Sequence, residues 1–113
     1  MYNKERTLTL VNILYYEKEN GRTPFLDWFN HLETLTQVII AREIDKAFID
    51  YNFRNVKSLG GGLYEVKINY GPGFRVYFAH TINDCFLILL GGNKSSQKRD
   101  INLAQKYWSL YGR

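Results

Sequence analysis

The stretch LYEVKINYGPGFRVYF, Leu63 to Phe78, constrains this chain more than any other, because two alternating runs flank a Gly-Pro-Gly turn. Side chains alternate across a strand, so Tyr64, Val66 and Ile68 share one face and Leu63, Glu65, Lys67 and Asn69 the other. On the returning strand Phe74, Val76 and Phe78 alternate with Arg75, Tyr77 and Ala79. A slip of one residue would turn the apolar set to solvent, so the register should bring Glu65, Lys67, Asn69, Arg75 and Tyr77 together opposite the core. The hairpin is therefore expected to carry a polar, cationic, aromatic-edged surface. Such residues are ordinary on the wet side of an antiparallel sheet, and what surrounds them decides whether they form a site.

The rest of the chain supplies the packing partners. Leu8 to Tyr16, rich in β-branched and aromatic residues, reads as a first strand. Thr23 and Pro24 read as an N-cap and first helical residue, with Phe25, Trp28, Phe29 and Leu32 at helical spacing. A longer helix over about 36–51 buries Ile40, Ile44, Ala47, Phe48 and Tyr51 on one stripe. After Asn55 the period becomes that of strands: VKSL, Leu63 to Asn69, Phe74 to His80 and Cys85 to Leu90, an antiparallel meander with an Asn83-Asp84 turn and a closing Gly91-Gly92 turn. A last helix over about 96–111, N-capped by serine, buries Ile101, Ala104, Trp108 and Tyr111. The pattern predicts one α+β domain over 1–113: strand, helical hairpin, a twisted antiparallel sheet of three or four further strands, and a C-terminal helix.

Charge is divided unevenly. Met1 to Val56 holds seven Lys/Arg against eight Asp/Glu, whereas Lys57 to Arg113 holds eight against three. A basic half joined to a neutral half fits an anionic partner, nucleic acid first. The opening MYNKERTLTL lacks the apolar run of a secretory leader, and Cys85 to Leu90 is too short to span a bilayer. Cys85 is the one cysteine, so an internal disulfide is excluded and a reducing cytoplasm, without membrane association, is the expected setting.

A meander would carry Lys94, Lys98 and Arg99 to the side of the hairpin, forming a concave cationic patch able to grip a phosphate backbone, with Tyr77 or Tyr70 stacking on a base. Gly60 to Gly62 lacks the GK[ST] and following helix of a phosphate loop and reads as a turn. His31 lies far from any second metal-ligating group, so neither a metal nor another cofactor is expected.

The motifs SLGGGLYEVKINYGPGFRVYF and LLGGNKSSQKRDI, followed by AQKYW, resemble the RelE/ParE superfamily of bacterial toxins, closest to its HigB-like, addiction-module killer branch. The resemblance implies the same α+β, RelE-like fold. It also implies a type II toxin: a metal-independent, ribosome-dependent mRNA endonuclease that inhibits translation, held by a cognate antitoxin from an adjacent gene in a hetero-oligomer. Gyrase inhibition by protein contact, as in ParE-like members, and an inactive nucleic-acid-binding relative are the alternatives.

By position, the resemblance assigns Lys67, Arg75 and Lys94 to catalysis, as cations that stabilise charge on the scissile phosphate. Some ribonuclease members carry a second basic residue after the position of Lys94 and a tyrosine near the start of the closing segment, where this chain has Ser95 and Asp100 to Ile101, and other HigB-like toxins use a histidine or an acidic residue instead. Tyr77, Asp100 and His80 are the substitutes for proton transfer. Lys57, Tyr70, Lys98 and Arg99 complete the expected RNA surface, and Tyr107 and Tyr111 are candidate antitoxin anchors.

Overall fold

The computed structural model describes residues 12–81 and 85–111. Five strands, β1 (Asn12–Tyr15), β2 (Val56–Gly60), β3 (Leu63–Ile68), β4 (Phe74–His80) and β5 (Cys85–Asn93), form one sheet in the order β1-β5-β4-β3-β2. Strands β2 to β5 are the expected antiparallel meander, and β1 joins its far side parallel to β5. The expected start of the first strand at Leu8 and the Asn83-Asp84 turn lie outside the described residues.

Helices α1 (Pro24–Phe29) and α2 (Thr34–Phe48) cover one face of the sheet. Proline opens α1, which matches its fixed φ, although Thr23 makes no side-chain cap bond. The α2 stripe buries Thr36, Ile40, Ile44, Ala47 and Phe48. These meet Val66, Ile68, Val76, Phe78, Phe86 and Ile88 in the main core, where Phe48 stacks on Phe86 at 4.4 Å. Tyr51, expected on the stripe, stands beyond the helix with φ 51°, and its exposed ring lies near Phe53 and Phe86.

The second face is where expectation and structure part. It is no open, wet face: helix α3 (Gln97–Leu110) lies across it and closes a second core of Tyr16, Leu63, Tyr77, Ala79, Leu87, Leu89, Leu90, Ala104 and Tyr107. The odd-numbered hairpin positions mix Leu63 and Ala79 with the polar residues, and that apolar fraction gives the helix something to bury. A bulge between Tyr77 and Phe78 leaves Leu89 unpaired on β5 and keeps the apolar residues on both faces.

The Gly91-Gly92 pair is no turn. It belongs to β5, where the two glycines point to opposite faces. A Cβ at Gly91 would meet the Trp28 ring of α1, and one at Gly92 would meet the Asp100 carboxylate of α3. The glycines thus let a helix approach the central strand from each side. The expected serine cap is also replaced: Asn93 caps a single 3-10 turn (Lys94–Ser96) through Ser95 N–H, and Ser96 leads into α3 without capping it.

Gly91→Ala should therefore destabilise the fold by about 1–3 kcal/mol, the usual cost of overpacking, in urea or guanidinium unfolding. A loss below about 0.5 kcal/mol, the range of an ordinary surface change, would show that Trp28 has room to move.

Candidate functional site

Register builds the centre of the site. Lys67 on β3 stands opposite Arg75 on β4, and Arg75 stands opposite Gly92 on β5. In the next row on the same face, Lys57, Glu65, Tyr77 and Leu90 lie side by side across β2, β3, β4 and β5. Because Gly92 has no side chain, Asp100 of α3 occupies the place beside Arg75.

The centre of this arrangement is covered. Glu65 is 3%, Arg75 6%, Tyr77 0% and Asp100 4% exposed. Gln97 Nε2 donates to Glu65 Oε1 at 2.8 Å, joining the first turn of α3 to the sheet. Ser96 Oγ donates to Asp100 Oδ2 at 2.6 Å, and the exposed Arg99 places Nε 3.7 Å from Asp100 Oδ1. Arg75 Nη1 donates to Gly73 O at 2.8 Å. Among the described residues, Arg75 Nε and the Tyr77 hydroxyl are buried without a hydrogen-bond partner. Burial first, then the charges of Glu65 and Asp100, pushes the Tyr77 phenol well above its usual range, and Arg75 opposes them only in part.

Around the covered cluster runs an exposed basic rim. Lys67 is exposed on β3, Lys94 on the 3-10 turn, and Lys98 and Arg99 on the first turn of α3. Gly73 (φ 79°) links the rim to the cluster, since a Cβ there would lie 2.8 Å from Arg75 Nη1 and 3.6 Å from Lys94 Cβ. Ser95, Ser96, Lys98, Arg99 and Asn102 line a surface concavity beside it.

Several expected site residues are thus brought together: Lys67, Arg75, Lys94, Tyr77 and Asp100. Others are not. The buried Tyr77 offers no ring to a nucleic-acid base, whereas Tyr70, at the Gly-Pro-Gly turn, is 36% exposed. Lys57 is exposed on the edge strand β2, outside Glu65. His80 lies on the other face, stacked on Phe86 at 4.8 Å, and takes no part in this cluster. Tyr107 is buried against Tyr16 at 4.8 Å rather than presented to a partner, while Tyr111 is exposed. Trp108 Nε1 donates to Gly61 O at 2.8 Å across the triple-glycine turn. No group of His, Cys, Asp and Glu among the described residues is placed to hold a metal.

Gln97 and Ser96 join the expected residues, and Glu65, expected on the polar face but given no role there, is a buried acceptor within it. The signal available was spacing: Ser96 and Asp100 are four apart on a helix, and Glu65 shares its strand face with the apolar Leu63.

A five-stranded mixed sheet with a helical hairpin on one face, a C-terminal helix on the other, and a covered Arg-Tyr-Asp-Glu cluster edged by lysines defines a small α+β protein with a basic site at one end of its sheet. The family model of the phage-derived Gp49-like proteins (DUF891) matches residues 27–109, and the chain belongs to that family. An uncharacterized protein of Haemophilus influenzae is 32% identical over 81 residues, which span 72% of this chain and 82% of that protein.

The unpartnered hydroxyl makes a sharp prediction. A buried polar group without a partner opposes folding, so Tyr77→Phe should leave stability equal or raise it. The sign follows from the raised folded value: the native state keeps a proton that the unfolded chain loses near the usual tyrosine value of about 10. That contribution is intact below the unfolded value and is lost as pH rises through the folded one. Folded wild type and Tyr77→Phe should thus show equal phenolate absorbance through pH ~10 and differ by one tyrosine in urea. A difference already present in the folded proteins would contradict the burial.

Proposed function

We propose that this chain is the toxin of a type II toxin-antitoxin pair, a metal-independent mRNA endonuclease that acts on the ribosome. Membership of the Gp49-like family supports a toxin-like protein and, with it, an antitoxin partner. The observation that carries the ribonuclease reading is the placement of Lys67 across from Arg75, with Arg75 and Lys94 both beside Gly73, on the sheet face that α3 covers.

In metal-free RNA cleavage the 2′-oxygen attacks the adjacent phosphorus, the 5′-oxygen leaves, and negative charge builds on the non-bridging oxygens between the two events. Fixed cations at those oxygens lower the barrier. Lys67 and Lys94 are exposed and can meet the phosphate directly, while Arg75 holds a guanidinium just beneath them. The 2′-hydroxyl releases its proton to water as it attacks, and the leaving 5′-oxygen takes one from the ammonium of Lys67 or Lys94. Tyr77 and Asp100, covered by α3, act behind Arg75 as positioning residues rather than as groups touching RNA. Lys98 and Arg99 extend the phosphate-binding rim along α3, Lys57 stands on the edge strand β2 opposite Glu65, and Tyr70 offers a stacking ring at the turn.

Because Lys67 and Lys94 are exposed, replacing either by alanine should leave the fold intact while lowering cleavage by ~10²–10³, the cost of losing a charge-stabilising donor. Arg75→Ala differs, since it removes a buried side chain and its bond to Gly73 O and should cost stability as well. The test is induced expression of wild type, Lys67→Ala and Lys94→Ala at matched levels, with growth and cellular mRNA 5′ ends followed within minutes. Codon-phased ends with wild type alone support the proposal. A DNA-damage response without cuts would replace it by gyrase inhibition, and neither response by an inactive relative. Affinity for ribosomes should also fall with rising salt, as counterion release requires, and an unchanged affinity would contradict a phosphate-led interface.

A further inference from the structure

We propose that Glu65 and Gln97 form a positioning pair that sets how the first turn of α3 sits on the sheet, and thereby how far Lys94, Lys98 and Arg99 stand from Lys67 and Arg75. The consequence for cleavage rests on the function proposed above, whereas the structural part does not.

Three observations carry it. Glu65 is a buried carboxylate in mid-sheet, between Lys57 and Tyr77 across the neighbouring strands, and it accepts from an amide 32 residues further along the chain. Gln97 is the first residue of α3, so this one bond ties the start of the helix to β3. The far end of α3 is held by other means, with Tyr107 stacked on Tyr16 and Trp108 bonded to Gly61 O. The helix is therefore pinned by a polar contact at its start and by aromatic packing at its end. Losing the first pin should release the first turn without detaching the helix.

A neutral donor at position 97 also suits the charges nearby. The covered cluster already sets two carboxylates, Glu65 and Asp100, against the single guanidinium of Arg75. An amide satisfies Glu65 without adding charge. A carboxylate at 97 would place two acceptors face to face, and a buried acceptor without a donor opposes the packing.

The pair can be tested by exchanging its members. In Gln97→Glu, amide hydrogen exchange at Ile101 to Ala104, whose N–H groups close the first turn, should quicken by about 10–100-fold, the equivalent of one lost hydrogen bond to a charged group. Exchange near Trp108 should stay unchanged. Glu65→Gln keeps an acceptor oxygen and should remain close to wild type. The double variant Glu65→Gln with Gln97→Glu restores one donor and one acceptor with their roles reversed, and should return exchange to within about threefold of wild type, as coupled partners do. Unchanged first-turn exchange in Gln97→Glu, or no recovery in a folded double variant, would overturn the pair. Growth arrest should be lost and regained in the same order; exchange that follows this order while arrest does not would overturn the positioning role. If the wild-type chain causes no arrest, the exchange data stand and the cleavage proposal fails.

Discussion

The guanidinium of Arg75 is the interaction on which this molecule is arranged. At 6% exposure it donates from Nη1 to Gly73 O in the turn while its Nε has no partner, and Glu65 on β3 and Asp100 on α3 lie in the same covered cluster. Each is placed by backbone. Glu65 stands one row along from Lys67, the cross-strand partner of Arg75, and Asp100 enters the space over Gly92, the β5 partner of Arg75, because that residue has no side chain. The helix that closes the second core thus also brings Asp100 into the charged cluster.

Strand β5 is the axis of the arrangement. It pairs with β1 on one side and β4 on the other, and successive glycines receive Trp28 from one face and Asp100 from the opposite face. Two helical layers therefore converge at the same point of the same strand. The chain then leaves through a capped 3-10 turn that carries Lys94 outward and delivers Ser96, Gln97 and Asp100 inward. A rim of exposed lysine and arginine above a covered polar cluster is a surface suited to a polyanion, because outer cations gain little from pairing in water and remain available to phosphate.

The hairpin was legible because alternation and register admit one solution, and the cross-strand pairing of Lys67 with Arg75 follows from it directly. The helical hairpin was legible from its apolar stripes, to within a few residues at the ends. Burial of the second face was not. Glu65 and Arg75 read as a wet surface because local pattern cannot tell a solvated charge, such as Lys67, from one covered by a distant helix, and Ala79, Leu63 and Leu87 carried the missing apolar signal diluted among them. The same blindness made Tyr77 a stacking candidate and Tyr107 a partner anchor. Gly91-Gly92 read as a turn because glycine pairs usually are, whereas here the absent side chains make room for two helices. His80 sits next to Ala79 in sequence but, by alternation, on the opposite face from Tyr77.

On the function proposed above, Lys67, Arg75 and Lys94 assist the attack of the RNA's own 2′-oxygen on its phosphate. The most direct measurement is the chemistry of the product ends when purified chain acts on ribosomes programmed with a defined messenger. The account predicts a 2′,3′-cyclic phosphate or its 3′-phosphate hydrolysis product on one fragment and a 5′-hydroxyl on the other, with both lost in Lys67→Ala. Fragments bearing a 5′-phosphate and a 3′-hydroxyl, or an intact messenger with folded wild-type chain bound, would contradict it.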